Sequence, residues 1–237
     1  MKKALLFTPL MALFFNACGS QSDELSEPKV VIGSNDLVKY TADDTYSQAV
    51  GVMVSGCTVT HIGGNLGLTA GHCVTGYSCE ENYDVVWNYR ENNQGDGTRS
   101  RSSCVEVLSR QYSSSVDTPL DYAIVRYDRA PEAYRQIDFQ KPVAGDEITI
   151  LSHPAVRTLE WSGWCTIDGN WSANKFAYQC DTEGGSSGAA VLNRSLRVVG
   201  VHNLGSSAAG YNAGSYMVDV FSDLPQSLQD ELQNLQL

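Results

Sequence analysis

Asp181-Thr182-Glu183-Gly184-Gly185-Ser186-Ser187-Gly188-Ala189-Ala190-Val191 is the stretch on which the reading of this chain turns. Glycines on both sides of one serine let the backbone adopt turns that other residues resist, so N–H groups can face a ligand. Ala189–Leu192 then reads as a short strand. Taken alone, the same residues could form a flexible Gly/Ser hairpin. Two earlier segments decide between these readings.

In Leu120-Asp121-Tyr122-Ala123-Ile124-Val125 an acid opens an apolar strand, where a charge is costly to bury unless something pairs with it. A turn aspartate would look the same. Leu68-Thr69-Ala70-Gly71-His72-Cys73 ends a strand on a histidine that could simply be a packed core residue. Together the three segments resemble the trypsin-like serine peptidases, in the order His, Asp, Ser. The serine segment departs from the usual pattern: Ser186 replaces an acid or amide, and Ala189-Ala190 replace Gly/Ser-Pro. Cys57 precedes Cys73 by sixteen residues, the spacing of the family disulfide that pins the histidine loop. An α/β-hydrolase runs Ser, acid, His, whereas the only histidine after Ser187 is His202, which precedes Asp219. The resemblance covers residues 30–222.

The resemblance implies an all-β fold of two six-stranded antiparallel β-barrels of the chymotrypsin type with a C-terminal α-helix. Residues 30–135 and 136–222 would form the barrels and 223–237 the helix. His72 and Asp121 would come from the first barrel and Ser187 from the second. A serine hydroxyl needs an adjacent base near neutral pH, the role of His72, while Asp121 would hold its tautomer. Asp117 is the rival acid, but its Ser/Thr/Pro surroundings read as a loop. The N–H groups of Gly185 and Ser187 would cradle the oxyanion. No cofactor or metal site is evident.

Val30-Val31-Ile32-Gly33-Ser34-Asn35-Asp36, Asp181–Gly188, Val201-His202-Asn203, Tyr211-Asn212 and Val220–Leu224 are similar to segments of the bacterial glutamyl endopeptidases. That likeness implies cleavage after Glu or Asp. His202, as an imidazolium, would recognise the acidic side chain with help from a freed amine at Val30. His202 could also be an ordinary strand histidine. Two alternatives compete: Asp181, six residues before Ser187, could select Arg or Lys, or the chain could be a catalytically silent binding or adhesion module. Cleavage after Lys29 would free Val30 as in a zymogen. In many relatives the new amine pairs with an acid before the catalytic serine, and Ser186 cannot supply one.

Elsewhere the chain reads as short strands punctuated by Gly, Asn and Ser, which argues for a sandwich or barrel. The expected strands lie at 49–54, 58–62, 66–70, 83–89, 104–108, 122–127, 147–151, 161–167, 176–179, 189–192, 198–202 and 216–218. Asn92–Ser103 reads as a surface loop and Ala130–Pro142 as a link between halves. Leu224, Leu228, Leu232 and Leu235 recur at helical spacing, with Asp223 as cap, Pro225 in the first turn and Gln226 completing a capping box.

Residues 1–17, with Lys2, Lys3 and an apolar stretch to Phe15, read as a signal peptide. Ala17-Cys18-Gly19 resembles a bacterial lipoprotein signal, with a lipid on Cys18, and 18–29 reads as a tether or propeptide. The protein is expected to be an exported monomer, an outer-membrane lipoprotein or secreted after processing, touching membrane only through that lipid. Among seven cysteines, six then remain, and export makes an even set read as disulfides. Family spacing pairs Cys57 with Cys73. Cys165–Cys180 would brace the segment before the serine, and Cys79–Cys104 follows by elimination. With 16 Lys+Arg against 27 Asp+Glu, the net charge of −11 makes nucleic acid an unsuitable partner; protein or peptide substrates are expected. His61 and His153 receive no role.

Overall fold

The computed structural model describes residues 30–93, 98–112, 120–207 and 209–236. The expected signal segment, Cys18, the 18–29 tether, Lys29 and Asp117 lie outside the described residues.

Seven strands form the first sheet: β2 (Val50–Met53), β3 (Thr58–His61), β4 (Leu66–Thr69), β5 (Val85–Trp87), β6 (Ser100–Ser102), β7 (Cys104–Gln111) and β8 (Tyr122–Tyr127). Their spatial order is β6-β5-β2-β3-β4-β8-β7, all antiparallel. The sheet curls on itself without β6 pairing to β7 among the described residues. The second sheet comprises β1 (Val38–Lys39), β9 (Glu147–Ser152), β10 (Glu160–Ser172), β11 (Lys175–Tyr178), β12 (Ala190–Asn193), β13 (Val198–Ser206) and β14 (Tyr211–Tyr216). Here β9 pairs with both β10 and β12, so six strands close into a barrel and β1 adds to β10 from outside. The architecture is the chymotrypsin type, one barrel closed and one open.

Each barrel has its own interior. Trp87, Tyr83, Tyr127 and Val125 fill the first; Phe176, Tyr178, Ile150 and Tyr216 fill the second. A third cluster lies between them, where Leu66, Leu68 and Ile124 meet Ala190, Val201 and Met217. That shared core fixes one barrel against the other, and the residues of interest sit along its edge. The cysteines pair as Cys57–Cys73, Cys79–Cys104 and Cys165–Cys180.

A short helix, α1 (Thr45–Gln48), precedes β2. Two local expectations are corrected. Of residues 216–218, expected as a strand, only Tyr216 is one, ending β14, while Met217 and Val218 open helix α2 (Met217–Asp223). Met217, Val220, Phe221 and Leu224 recur at three- and four-residue steps, a helical period that a three-residue window conceals. Asp223 does not cap the last helix, α3 (Gln226–Leu235); it ends α2 and accepts a hydrogen bond from the Tyr122 hydroxyl at 2.8 Å. Pro225 is the residue before α3, and no side chain caps it. Leu228 and Leu232 bury the apolar stripe of α3, each contributing about 1.5–3 kcal/mol. Glu231 pairs with Arg126 of β8 through two hydrogen bonds of 3.0 and 2.8 Å, so α3 packs on the first barrel.

Candidate active site

His72 lies in a 3-10 turn, Gly71–Cys73, at the end of β4. Its backbone N–H donates to Asp121 Oδ1 at 3.0 Å and its ring Nδ1 meets Asp121 Oδ2 at 2.8 Å. One carboxylate thus fixes both the main chain and the ring. Asp121 precedes β8 and is 5% exposed, so its charge depends on these partners. Its own backbone is anchored from the second barrel: Asp121 N–H donates to Ser215 Oγ at 3.2 Å, and Asn203 Nδ2 donates to Asp121 O at 2.9 Å. Asn203 also donates to Ser215 Oγ at 2.8 Å. Sequence reading missed both anchors. Asn203 follows His202 in a quoted segment and carried the only signal; Ser215 carried none. The Cys57–Cys73 disulfide backs the histidine turn, with both sulfurs within 4.8 Å of a His72 ring nitrogen and bonded to each other.

Ser187 reaches this place through Thr58 and Gly188. Thr58 N–H donates to Ser187 O at 2.9 Å, and the Thr58 hydroxyl donates to Gly185 O at 2.8 Å. A Cβ on Gly188 would stand 2.2 Å from Thr69 Oγ1 and 2.9 Å from Ala70 N, so only glycine lets the serine loop lie against the end of β4. Gly188 also has φ +87, in the left-handed region that glycine tolerates. His72 stands two residues beyond Ala70. Ser187 is partly exposed, and its hydroxyl has no hydrogen-bond partner among the described residues. Contacts of this kind often tighten only around substrate. The N–H groups of Gly185 and Ser187 have no acceptor among the described residues.

His202, on β13, exchanges backbone hydrogen bonds with the residues after Ser187: Gly188 N–H donates to His202 O and His202 N–H to Ala189 O. Its ring is buried, with Nδ1 2.6 Å from the Tyr178 hydroxyl. Burial lowers the imidazole pKa to about 3, reinforced by the charge of His72 and opposed by the Ala213 carbonyl and Asp121. With no carboxylate bound, the ring is therefore neutral near pH 7. Burial raises the Tyr178 phenol well above its ordinary value, so the hydroxyl keeps its proton and can donate to an unprotonated Nδ1. Nε2 then carries the proton.

Asp181 turns both of its carboxylate oxygens to backbone N–H groups. Oδ1 accepts from Ile32 N–H at 2.8 Å and Oδ2 from Asp36 N–H at 2.7 Å, with the residue 4% exposed. The carboxylate ties down the segment after Val30. Val30 is fully buried, and its carbonyl accepts from Thr182 N–H and Asn212 Nδ2. His61 is buried away from this site and His153 behind the Gly185 loop, their Nδ1 atoms meeting the carbonyls of Ala133 and Arg157.

Several known proteins are similar to this chain in sequence or fold. The non-structural polyprotein 1A of turkey astrovirus 2 is 32% identical over 82 residues, 34% of this chain but 7% of the polyprotein. Secreted RxLR effector protein 73 of Plasmopara viticola is 26% identical over 153 residues, 58% of this chain and 38% of the effector. This chain thus spans less than half the length of either. The extracellular metalloprotease of Bacillus subtilis (strain 168) is 24% identical over 225 residues, 84% of this chain and 69% of that protein. A solved structure of a Glu endopeptidase in complex with MPD is 25% identical, with a TM-score of 0.68 over 85% of this chain and 100% of its own. The family model for the trypsin-like peptidase domain matches residues 54–201, a span that holds His72, Asp121 and Ser187. The chain belongs to the trypsin-like serine peptidases.

Proposed function

We propose that this protein is an exported serine endopeptidase that cuts after Glu or Asp through His72, Asp121 and Ser187. The observation that carries the reading is the His72–Asp121 pair, doubly hydrogen-bonded and partly buried beside the loop that Thr58 and Gly188 hold at the same edge. Ser187 Oγ attacks the carbonyl carbon while its proton passes to His72 Nε2. The carbonyl oxygen gains the charge and is held by the Gly185 and Ser187 N–H groups, one such donor being worth about 3–4 kcal/mol. The C–N bond then breaks, and His72 returns the proton to the leaving amine. Water repeats the sequence, releasing the acid and restoring Ser187.

The preference for an acidic side chain rests on His202. A neutral imidazole with its proton on Nε2 can donate to a carboxylate, and that carboxylate would favour the protonated ring once bound. Asp181 supports the same choice from the other side: both of its oxygens already accept backbone N–H groups, leaving it poorly placed to receive Arg or Lys. The intact His72–Asp121 pair weighs against a silent module. Three disulfides fit an oxidising compartment, with anchorage through Cys18 and release by cleavage after Lys29.

A fluorophosphonate probe should label the processed protein and fail on Ser187→Ala; absence of labelling in the processed wild type would overturn the enzyme reading. A peptide library should then show cuts after Glu and Asp, and exclusive cutting after Arg and Lys would overturn the specificity. N-terminal sequencing of the active form should begin at Val30, and full activity with residues 18–29 attached would overturn the processing step.

A further inference from the structure

The loop that carries Gly185 is gripped by the connection between β9 and β10. Ala155 N–H donates to Gly184 O at 2.5 Å, and His153 N–H donates at 3.0 Å to the same Thr58 hydroxyl that holds Gly185 O. A Cβ on Gly185 would stand 2.6 Å from His153 O. Ala155 and Val156 have φ of 49° and 59°, a left-handed pair that a β-branched residue adopts only under outside restraint.

Arg157 supplies that restraint. Its Nε and Nη2 donate to the two oxygens of Glu160, both at 2.9 Å, and its Nη1 and Nη2 to those of Glu183 at 2.9 and 3.2 Å. The two carboxylate side chains are 6% and 12% exposed, so one guanidinium satisfies a pair of buried acids in the planar fork it is suited to. Asn35 adds a donor to Glu183 at 3.3 Å. The residue before the serine carries no charge for such a grip: Ser186 is fully buried, with its hydroxyl 3.0 Å from Ser152 Oγ. The charged contact on this loop falls on Glu183 instead, two residues before Gly185.

We propose that Arg157 is a positioning residue for the oxyanion site, holding Glu183 so that the Gly184–Gly185 peptide keeps the Gly185 N–H turned toward the scissile carbonyl. This rests on the serine-peptidase reading above. Arg157 touches no substrate. Its effect is confined to an interaction that strengthens in the transition state, so its loss lowers kcat and leaves KM nearly untouched.

The test compares Arg157→Gln, Arg157→Lys and Glu183→Gln with the processed wild type. Peptide hydrolysis is measured alongside binding of a peptide aldehyde, which forms a tetrahedral adduct, and of a non-covalent product peptide. We expect Arg157→Gln and Glu183→Gln to lose at least about tenfold in kcat, with KM within about threefold. Aldehyde affinity should fall by the same factor as kcat, product affinity should hold, and Arg157→Lys should recover part of the loss. Arg194→Gln, which removes an exposed pair with Glu147 at the far end of β12, should match wild type. If Arg157→Gln does not fold, the isosteric Glu183→Gln carries the test. Unchanged kcat, or equal losses of aldehyde and product affinity, would overturn the proposal alone. A wild type that no fluorophosphonate labels would overturn it together with the enzyme reading.

Discussion

Replacing His153 by Phe should make the protein less sensitive to acid by a calculable amount. His153 is fully buried beside the oxyanion loop, its ring stacked on Tyr89 at 6.0 Å and its Nε2 without a partner among the described residues. Burial lowers its pKa to about 4, with the Arg157 carbonyl pulling weakly the other way. Because the folded value lies below the unfolded value of about 6.5, the unfolded chain binds more protons between the two. The neutral ring's contribution is therefore complete above pH 6.5 and is lost as pH falls toward 4. Those two pKa values give a loss of about 2.5 kcal/mol between pH 7.5 and 4.5. His153→Phe keeps an aromatic ring against Tyr89 and gives up the hydrogen bond to Arg157 O, a cost of about 1 kcal/mol at every pH. Urea unfolding of both proteins at the two pH values isolates the difference, since His61 and His202 are common to both. The wild type should lose about 2.5 kcal/mol more than the variant. Losses matching to within about 0.5 kcal/mol would refute the argument.

Three further outcomes follow from the same contacts. Asp121→Asn should lower kcat by about ten-thousand-fold by leaving His72 in the wrong tautomer, measured on a peptide substrate; a loss under about tenfold would remove Asp121 from the mechanism. Asp181→Asn should cost about 1–3 kcal/mol in a urea melt, because two N–H donors lose a charged acceptor. The same variant should leave the cleavage preference unchanged in the peptide library, and a switch of preference would return Asp181 to the specificity pocket. Gly188→Ala should destabilise by about 3 kcal/mol or more, since its methyl meets Thr69 and Thr58 and the left-handed φ opposes it; an unchanged Tm would show that the serine loop does not pack on β4 as described.

The sequence carried the reacting groups more clearly than their supports. His72, Asp121 and Ser187 stand in short segments where a polar residue interrupts an apolar strand, or where glycines surround a serine, and such local contrasts are visible in one dimension. Thr58, Asn203, Ser215, Tyr178 and Arg157 act across separations of many residues, on strands whose register no local pattern specifies. Asp181 shows the reverse case. Its place six residues before Ser187 suggested a pocket acid, yet the backbone of residues 32–36 takes both oxygens. The neutral state of the unliganded His202 ring was hidden for a similar reason, since it comes from burial under Tyr178 and the surrounding strands rather than from neighbours in sequence. The boundary of α2 was lost because a strand and a helix adjoin without a turn residue between them.

α3 comes after both barrels in the chain, yet it lies on the first, joined through Glu231 to Arg126 and through the Leu235 carbonyl to Tyr134. The order of synthesis and the order of packing therefore disagree. The first barrel emerges early but cannot gain its helical cover until residues 226–235 have been made.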